Sequence, residues 1–332
     1  MDARDLPPLP DDVDGALALA RTIARDAPLP GSGRTAELLG LLERLARHDL
    51  GVARAIEPHL DALAILAEAG LGPSDTGIAV EATWGVFAAE GGDEPLVARP
   101  DGDGWLLDGV KPWCSLADRL DAALVTAHVG DASGQRRLFS VGLGDGRATP
   151  EAGAWHPRGL IEIPSGPVLF RAARARAVGE AGWYLSRPGF AWGGIGVAAC
   201  WYGGALGVAA AVARAASRRE DPHLLAHLGA IDTALSAARR ALDEAALLID
   251  GGRARGAAGS LLAKRVRASV AGAVEEILLR AGRALGPAPL ALDAEHAKRV
   301  ADLLLYVRQH HAERDDESLG RAVLSSGSAE QW

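Results

Sequence analysis

Gly104-Trp105-Leu106-Leu107-Asp108-Gly109-Val110-Lys111-Pro112-Trp113-Cys114-Ser115 is the stretch on which the reading of this chain turns. Around it, from Ile78 to about Val178, helical periodicity is missing. Short apolar runs alternate there with Asp101-Gly102-Asp103-Gly104, Asp108-Gly109 and Gly144-Asp145-Gly146. Asp-Gly pairs between apolar runs predict tight hairpins, because glycine accepts the positive φ such turns need. The candidate strands are 104–107, 122–127, 137–141 and 168–171. Regular turn signals without intervening helices predict an antiparallel sandwich or barrel of about a hundred residues.

After the hairpin come a lysine, a proline-fixed bend, an indole and a hydroxyl. In an extended strand, residues two apart point to the same side. The spacing therefore predicts that Trp113 and Ser115 face one ligand together, the indole flat against an aromatic ring and the hydroxyl at its edge. A buried tryptophan after a hairpin is the other reading the pattern allows.

On either side of this region the 3.6-residue period holds. Val13, Leu17, Ala20 and Ala24 mark a first helix. Leu38, Leu41, Leu42 and Leu45 mark a second, and Leu60, Leu63, Ile65 and Leu66 a third. From Phe190 onward four helices are expected at roughly 190–219, 223–250, 257–284 and 293–313. They are separated by Asp221-Pro222, Gly251-Gly252 and Gly286-Pro287-Ala288-Pro289. Long helices with short connections predict an antiparallel bundle. The fold class is thus α+β: an N-terminal helical unit (1–77), a central antiparallel β-sandwich or barrel (78–182), a C-terminal four-helix bundle (183–324) and a frayed tail (325–332).

The 332 residues carry 35 basic and 43 acidic side chains, a net charge of −8. That balance argues against a nucleic-acid surface. Cys114 and Cys200 form no C-x-x-C pair, and the first residues show no basic stretch followed by an apolar one. A reducing cytoplasm is the expectation. Residues 188–213 are uncharged and long enough to span a bilayer, but mostly Ala and Gly, which gain little in lipid. A buried central helix, not a membrane span, is expected.

Other motifs carry less. Gly194-Ile195-Gly196-Val197-Ala198-Ala199 matches G-x-G-x-x-A, but no strand precedes it, so tight helix packing is the reading. His223 and His227 share a helix face without the glutamate of H-E-x-x-H, and no metal site is assigned. No G-x-S-x-G elbow occurs. Trp183, Trp192 and Trp201, with Tyr184 and Tyr202, read as core or interface aromatics.

Taken in order, the strand motifs resemble those of the acyl-CoA dehydrogenase superfamily. The G-W-x-L-x-G-x-K-x-W-x-(S/T) run is found from Gly104 to Ser115. Ala117-Asp118 and Ala123-Leu124-Val125-Thr126-Ala127 follow, then Trp155, Arg158-Gly159-Leu160, Ser165 with Val168-Leu169-Phe170, and Gly179-Glu180-Ala181-Gly182-Trp183-Tyr184. The match covers roughly residues 35–320 and is weak in the bundle.

The resemblance implies an FAD enzyme, a homodimer or homotetramer, that oxidises an acyl thioester such as an acyl-CoA, or a similar small substrate. It places Trp113 and Ser115 beside the isoalloxazine ring. It places Arg219 at the pyrophosphate, although Glu220-Asp221-Pro222 follows where the family has Phe-Gly. Gly286 in Leu285-Gly286-Pro287 stands for the family's later glycine turn. The flavin loop reads Val80-Glu81-Ala82-Thr83-Trp84-Gly85, an altered form. The family's catalytic glutamate falls at or beside Arg308, or at about Val197 on the first bundle helix, and neither is a carboxylate. Arg308 and His310 are the catalytic candidates, since imidazole titrates near neutral pH. His311 is an alternative to His310, and Glu313 lies one to two turns from the expected base. Two other roles stay open at this point: a flavin monooxygenase supplied by a reductase or electron-transfer partner, and a non-catalytic binding or scaffold protein.

Overall fold

The computed structural model describes residues 7–91, 95–132, 134–151, 153 and 155–331. Three helices come first: α1 (Val13–Ile23), α2 (Thr35–His48) and α3 (Leu50–Glu68). Asp12 caps α1 by accepting from the Gly15 amide at 2.7 Å, and Asp49 caps α3 by accepting from Gly51 and Val52. These carboxylates satisfy amides that the first helical turn leaves free. The third helix starts at Leu50, nine residues before His59, where the apolar period that marks it in sequence sets in. Those nine residues include Arg54 and Glu57, which interrupt the pattern yet are part of the helix.

Seven strands follow: β1 (Trp84–Phe87), β2 (Val97–Asp101), β3 (Gly104–Lys111), β4 (Ala122–Val129), β5 (Arg136–Gly142), β6 (Ala148–Pro150) and β7 (Val168–Val178). The ladder β4-β2-β3-β7-β5 returns to β4, so these five strands close into a barrel; β1 extends β4 and β6 extends β7. Leu107, Val125, Phe139, Phe170 and Ala173 are buried in the main core. The sheet is not wholly antiparallel, because β1 and β2 both pair with β4 in parallel. Crossovers between distant strands leave no mark in local turn chemistry.

Gly102, at φ 59°, makes the β2–β3 hairpin. Asp108-Gly109 does not turn the chain. It forms a bulge within β3, where the register with β7 shifts between Leu107 and Gly109. Gly109 has φ 118°, and a Cβ there would stand 2.9 Å from the Pro95 carbonyl. The Asp108 carboxylate accepts from the Ala172 amide at 2.7 Å, which pins the bulge to β7.

The remaining helices are α4 (Trp183–Ser186), α5 (Pro188–Ala216), α6 (Pro222–Asp250), α7 (Gly256–Leu285), α8 (Ala288–Leu292), α9 (Ala294–Tyr306) and α10 (Glu313–Ser325). The bundle comprises α5, α6, α7 and α9, and α10 packs on α7. The fourth helix, expected as one piece over 293–313, is broken. A 3-10 turn at Val307–Gln309 and a left-handed Ala312, φ 45°, separate α9 from α10. The tail expected to fray carries a 3-10 turn at Ser328–Gln331, and Trp332 lies outside the described residues.

Helix α5 meets the length and composition test for a membrane span, but 78% of its apolar window is buried within the protein. Its glycines allow this. A Cβ at Gly203 would lie 2.3 Å from the Glu43 carbonyl of α2, so that contact requires a bare backbone. Gly229 on α6 has open space around it. Gly203→Val is expected to destabilise the protein by about 3 kcal/mol or more through overpacking. Gly229→Ala is expected to stabilise it by about 0.5–1 kcal/mol, because alanine loses less backbone freedom in a helix. Urea unfolding of the two variants checks both signs.

Candidate active site

Between Asp49 and Leu66 almost every side chain of α3 is apolar, so the helix is buried around most of its circumference. Arg54, Glu57 and Asp61 are spaced to share one of its faces. Glu57 is 7% exposed, and its nearest ionic partner is the Arg54 guanidinium at 3.8 Å, beyond hydrogen-bond reach. Burial, and then the neighbouring Asp61 carboxylate, pushes the Glu57 carboxyl up to about 7; Arg54 and Arg267 pull the other way. Asp61 is also raised, chiefly by burial, against the pull of Arg187.

Both carboxyl groups open onto a cavity of about 770 Å³. That volume lies in the range of small-molecule sites. Its walls are α3, the start of α5, the first half of α7, and the segment from Gln309 to Ser318. Gly193 and Gly194 supply floor: a Cβ at Gly193 would meet the Asp61 carboxylate at 3.0 Å, and one at Gly194 the Arg267 side chain at 3.3 Å. The G-x-G-x-x-A run thus serves helix packing and cavity floor. Arg267 lies 4.6 Å over the Trp201 ring and donates to the carbonyls of Gly194 and Gln309, at 3.0 and 2.8 Å.

The break after α9 places His310 on the cavity wall. It is 8% exposed, and burial lowers its imidazole below the ordinary histidine value, against the pull of Asp315. His311 is exposed beside Asp315. Arg308 lies outside the cavity, exposed and paired with Glu275 of α7. Glu313 opens α10 as an exposed residue.

The pair Trp113 and Ser115 does not form a shared wall. The chain leaves β3 at Lys111, and Trp113 takes a left-handed conformation, φ 59°, so the two-residue alternation ends there. Trp113 is 60% exposed and stands edge-on to Trp155, with ring centroids 6.4 Å apart. Ser115 turns inward. Its hydroxyl accepts from the Arg54 guanidinium at 3.0 Å and hydrogen-bonds the Ser165 hydroxyl at 2.8 Å. Beside it lies a crevice of only about 10 Å³, lined by Arg54, Trp84, Phe87, Leu116 and Leu120 among others. A tricyclic flavin ring does not fit in that crevice.

Lys111 and Cys114 of the same run serve the barrel. Lys111 is buried and donates to Glu90 and Thr126, at 2.7 and 2.9 Å, and burial pushes the Cys114 thiol up to about 12. Arg219 is solvent-exposed and paired with Asp221 at 3.0 Å. Gly286 ends α7 with φ 68° and open space around it. None of Trp113, Ser115, Arg219, Gly286 or Arg308 lines the large cavity; His310 does. Ser115 bonds Arg54, whose guanidinium lies 3.8 Å from the wall residue Glu57 and 5.7 Å over the Tyr306 ring.

The carboxylates Asp49, Glu162 and Asp302 also cluster, but the Lys298 ammonium sits among them, 2.7–2.8 Å from each. That cluster is a structural clamp.

No protein-family model matches the chain, and no curated protein matches it significantly. Solved structures do. Butyryl-CoA dehydrogenase from Megasphaera elsdenii is 17% identical with a TM-score of 0.75, over 94% of this chain and 89% of that one. Methanesulfinate monooxygenase MsuC from Pseudomonas fluorescens is 19% identical with a TM-score of 0.74, over 96% and 98%. A nitrososynthase from Micromonospora carbonacea var. africana is 19% identical with a TM-score of 0.77, over 96% and 89%. The helical unit, the closed barrel and the bundle therefore occur here in the arrangement those proteins share, and the chain has the acyl-CoA dehydrogenase fold.

Proposed function

We propose that the protein is a flavin-dependent oxidoreductase acting on an acyl thioester or a similar small substrate. The observation that carries this reading is a ligand-sized cavity, lined by titratable groups, in a fold shared with structures that hold FMN or FADH2. KijD3 and TdsC, two of these similar structures, bind FMN, and a third, XiaF, binds FADH2. FAD is the cofactor we assign. Bound flavin would accept hydride from the substrate or, once reduced, activate oxygen.

In this reading the outer side of Trp113 packs on the ring, which explains why a bulky apolar side chain stays exposed in a strained conformation. Arg219 exchanges Asp221 for the pyrophosphate, and the open backbone at Gly286 admits the cofactor closely. Both stand outside the cavity, as expected if a second copy in a homodimer or homotetramer completes the cofactor site. The substrate occupies the cavity, and His310 faces it there. A cytoplasmic location accords with two buried, unpaired cysteines.

The monooxygenase reading has its own support. His310 lines the cavity two residues beyond Arg308, at or beside which the resemblance puts the family's glutamate, and the compared structures include two monooxygenases, MsuC and TdsC. In that case a flavin reductase is the partner.

The test is direct. After incubation with FAD or FMN and gel filtration, the protein is expected to retain flavin and to lose its visible absorbance anaerobically with butyryl-CoA. Bleaching only by an added reductase, followed by oxygen consumption, would assign the monooxygenase. Protein that retains neither flavin would overturn both and leave a binding or scaffold role. Trp113→Ala is expected to weaken flavin retention about tenfold, the size of one lost aromatic contact, with an unchanged far-ultraviolet spectrum. Global unfolding of this variant would show that the indole serves the core.

A further inference from the structure

We infer that Glu57 is the proton-transfer residue of the cavity, taking the α-proton of a bound acyl thioester, and that Asp61 is a positioning residue that sets its charge. The substrate class rests on the reading above; the residue assignment rests on the cavity itself. Glu57 is more than nine-tenths buried, lines the cavity, and has no hydrogen-bond partner among the described residues. A buried carboxyl group without a partner costs several kcal/mol of desolvation if it ionises alone, so such a group is uncommon unless a ligand or a proton completes it. The first bundle helix supplies no carboxylate to the chamber, and the one that follows Arg308, Asp315, already accepts from the His311 amide at 3.1 Å, whereas α3 brings in two carboxyl groups.

The surroundings suit proton exchange near neutrality. Burial and Asp61 favour the protonated form of Glu57, whereas Arg54 and Arg267 keep the carboxylate accessible. Tyr184, Cys200 and Tyr306 also face this group, and burial holds all three neutral. The carboxyl of Glu57 is thereby tuned to about 7, where a base is both ionised enough to act and strong enough to matter. The step balances without an oxidant. The α C–H bond breaks, its electron pair moves onto the thioester oxygen to give an enolate, and the proton forms a bond to a Glu57 carboxylate oxygen. Arg267, on the opposite wall, carries positive charge toward the chamber. In heavy water the reverse step returns a deuteron, so exchange is visible whether or not flavin is bound.

The experiment follows deuterium incorporation at the α-carbon of butyryl-CoA by NMR, with the purified protein in D2O and binding of butyryl-CoA measured separately by calorimetry. Wild-type protein is expected to accelerate exchange over the protein-free solution, and Glu57→Gln to lose at least about 100-fold of that acceleration while still binding butyryl-CoA. Asp61→Asn is expected to keep the exchange but move its half-maximal point to lower pH, because removing a neighbouring negative charge favours the ionised form of Glu57. A merely structural Asp61 would leave that point in place. Exchange that persists in Glu57→Gln, or wild-type protein that binds butyryl-CoA without exchange, overturns the inference and leaves the flavin reading standing. Wild-type protein that does not bind butyryl-CoA overturns the thioester class in both.

Stability gives a ligand-free check. A carboxyl raised in the folded state stabilises fully below its unfolded value of about 4.5, and this contribution is lost as pH rises through about 7. Glu57→Gln is expected to fold and to flatten the fall in melting temperature across that window. An unchanged profile would show that Glu57 ionises freely and would overturn its assignment.

Discussion

A helix of 29 residues that carries no charge until Arg214 in its last turn is the constraint that organises the rest. Helix α5 packs against α2, α6, α7 and α9, and it can do so because glycine replaces a side chain where a neighbour crosses. Gly203 meets the backbone of α2, Gly204 meets Leu50 and Leu303, and Gly207 meets Arg299. The burial is driven by apolar area, and the lack of charge before the last turn leaves no ion along the buried part of the helix to be desolvated at a loss. At its other end the same economy of side chains has the opposite effect. Around Gly193 and Gly194 no helix fills the space, and the space becomes the chamber that Glu57 and Asp61 face.

Charge enters the interior from α3. Arg54, Glu57 and Asp61 share one face of a mostly apolar helix, and each is held by a different neighbour: the Ser115 hydroxyl, the Arg54 and Arg267 guanidinium groups, and Arg187. Arg54 is the physical link between barrel and chamber. It fills the place beside Ser115 and at the same time lies over Tyr306. A basic side chain there explains why the inner crevice is too small for a cofactor ring. It also explains why the indole of Trp113, freed from the sheet by its left-handed backbone, remains at the surface.

Much of the architecture is legible in the sequence. The α5, α6 and α7 helices show a long helical period with proline and glycine breaks, and β3, β4, β5 and β7 show apolar runs between turns. What local patterns miss is non-local. The strands β1 and β2 were not marked, because they are short and pair in parallel with β4, which no turn motif announces. Asp108-Gly109 carries a hairpin signature and makes a bulge, because the chain on either side continues along β7. The site was legible in part. His310 lines the cavity, whereas Ser115 and Trp113 part company as soon as one backbone angle departs from the strand region. Glu57 and Asp61 leave one readable signal: acidic residues a turn apart inside a mostly apolar helix. Such a helix is buried, so its charges need an interior reason.

The Lys298 ammonium is bound at once by the cap residue of α3, by Glu162 of the loop after the barrel's sixth strand, and by Asp302 of α9. Asp302 also holds the Leu160 amide at 2.6 Å, and Gly159 lies against the α9 backbone. One cation thus rivets all three parts of the chain at a single point. They cannot swing independently, and opening any one of them strands an anion. The turn between α9 and α10, which forms part of the chamber wall and ends in Ala312 at φ 45°, is not held by that cation.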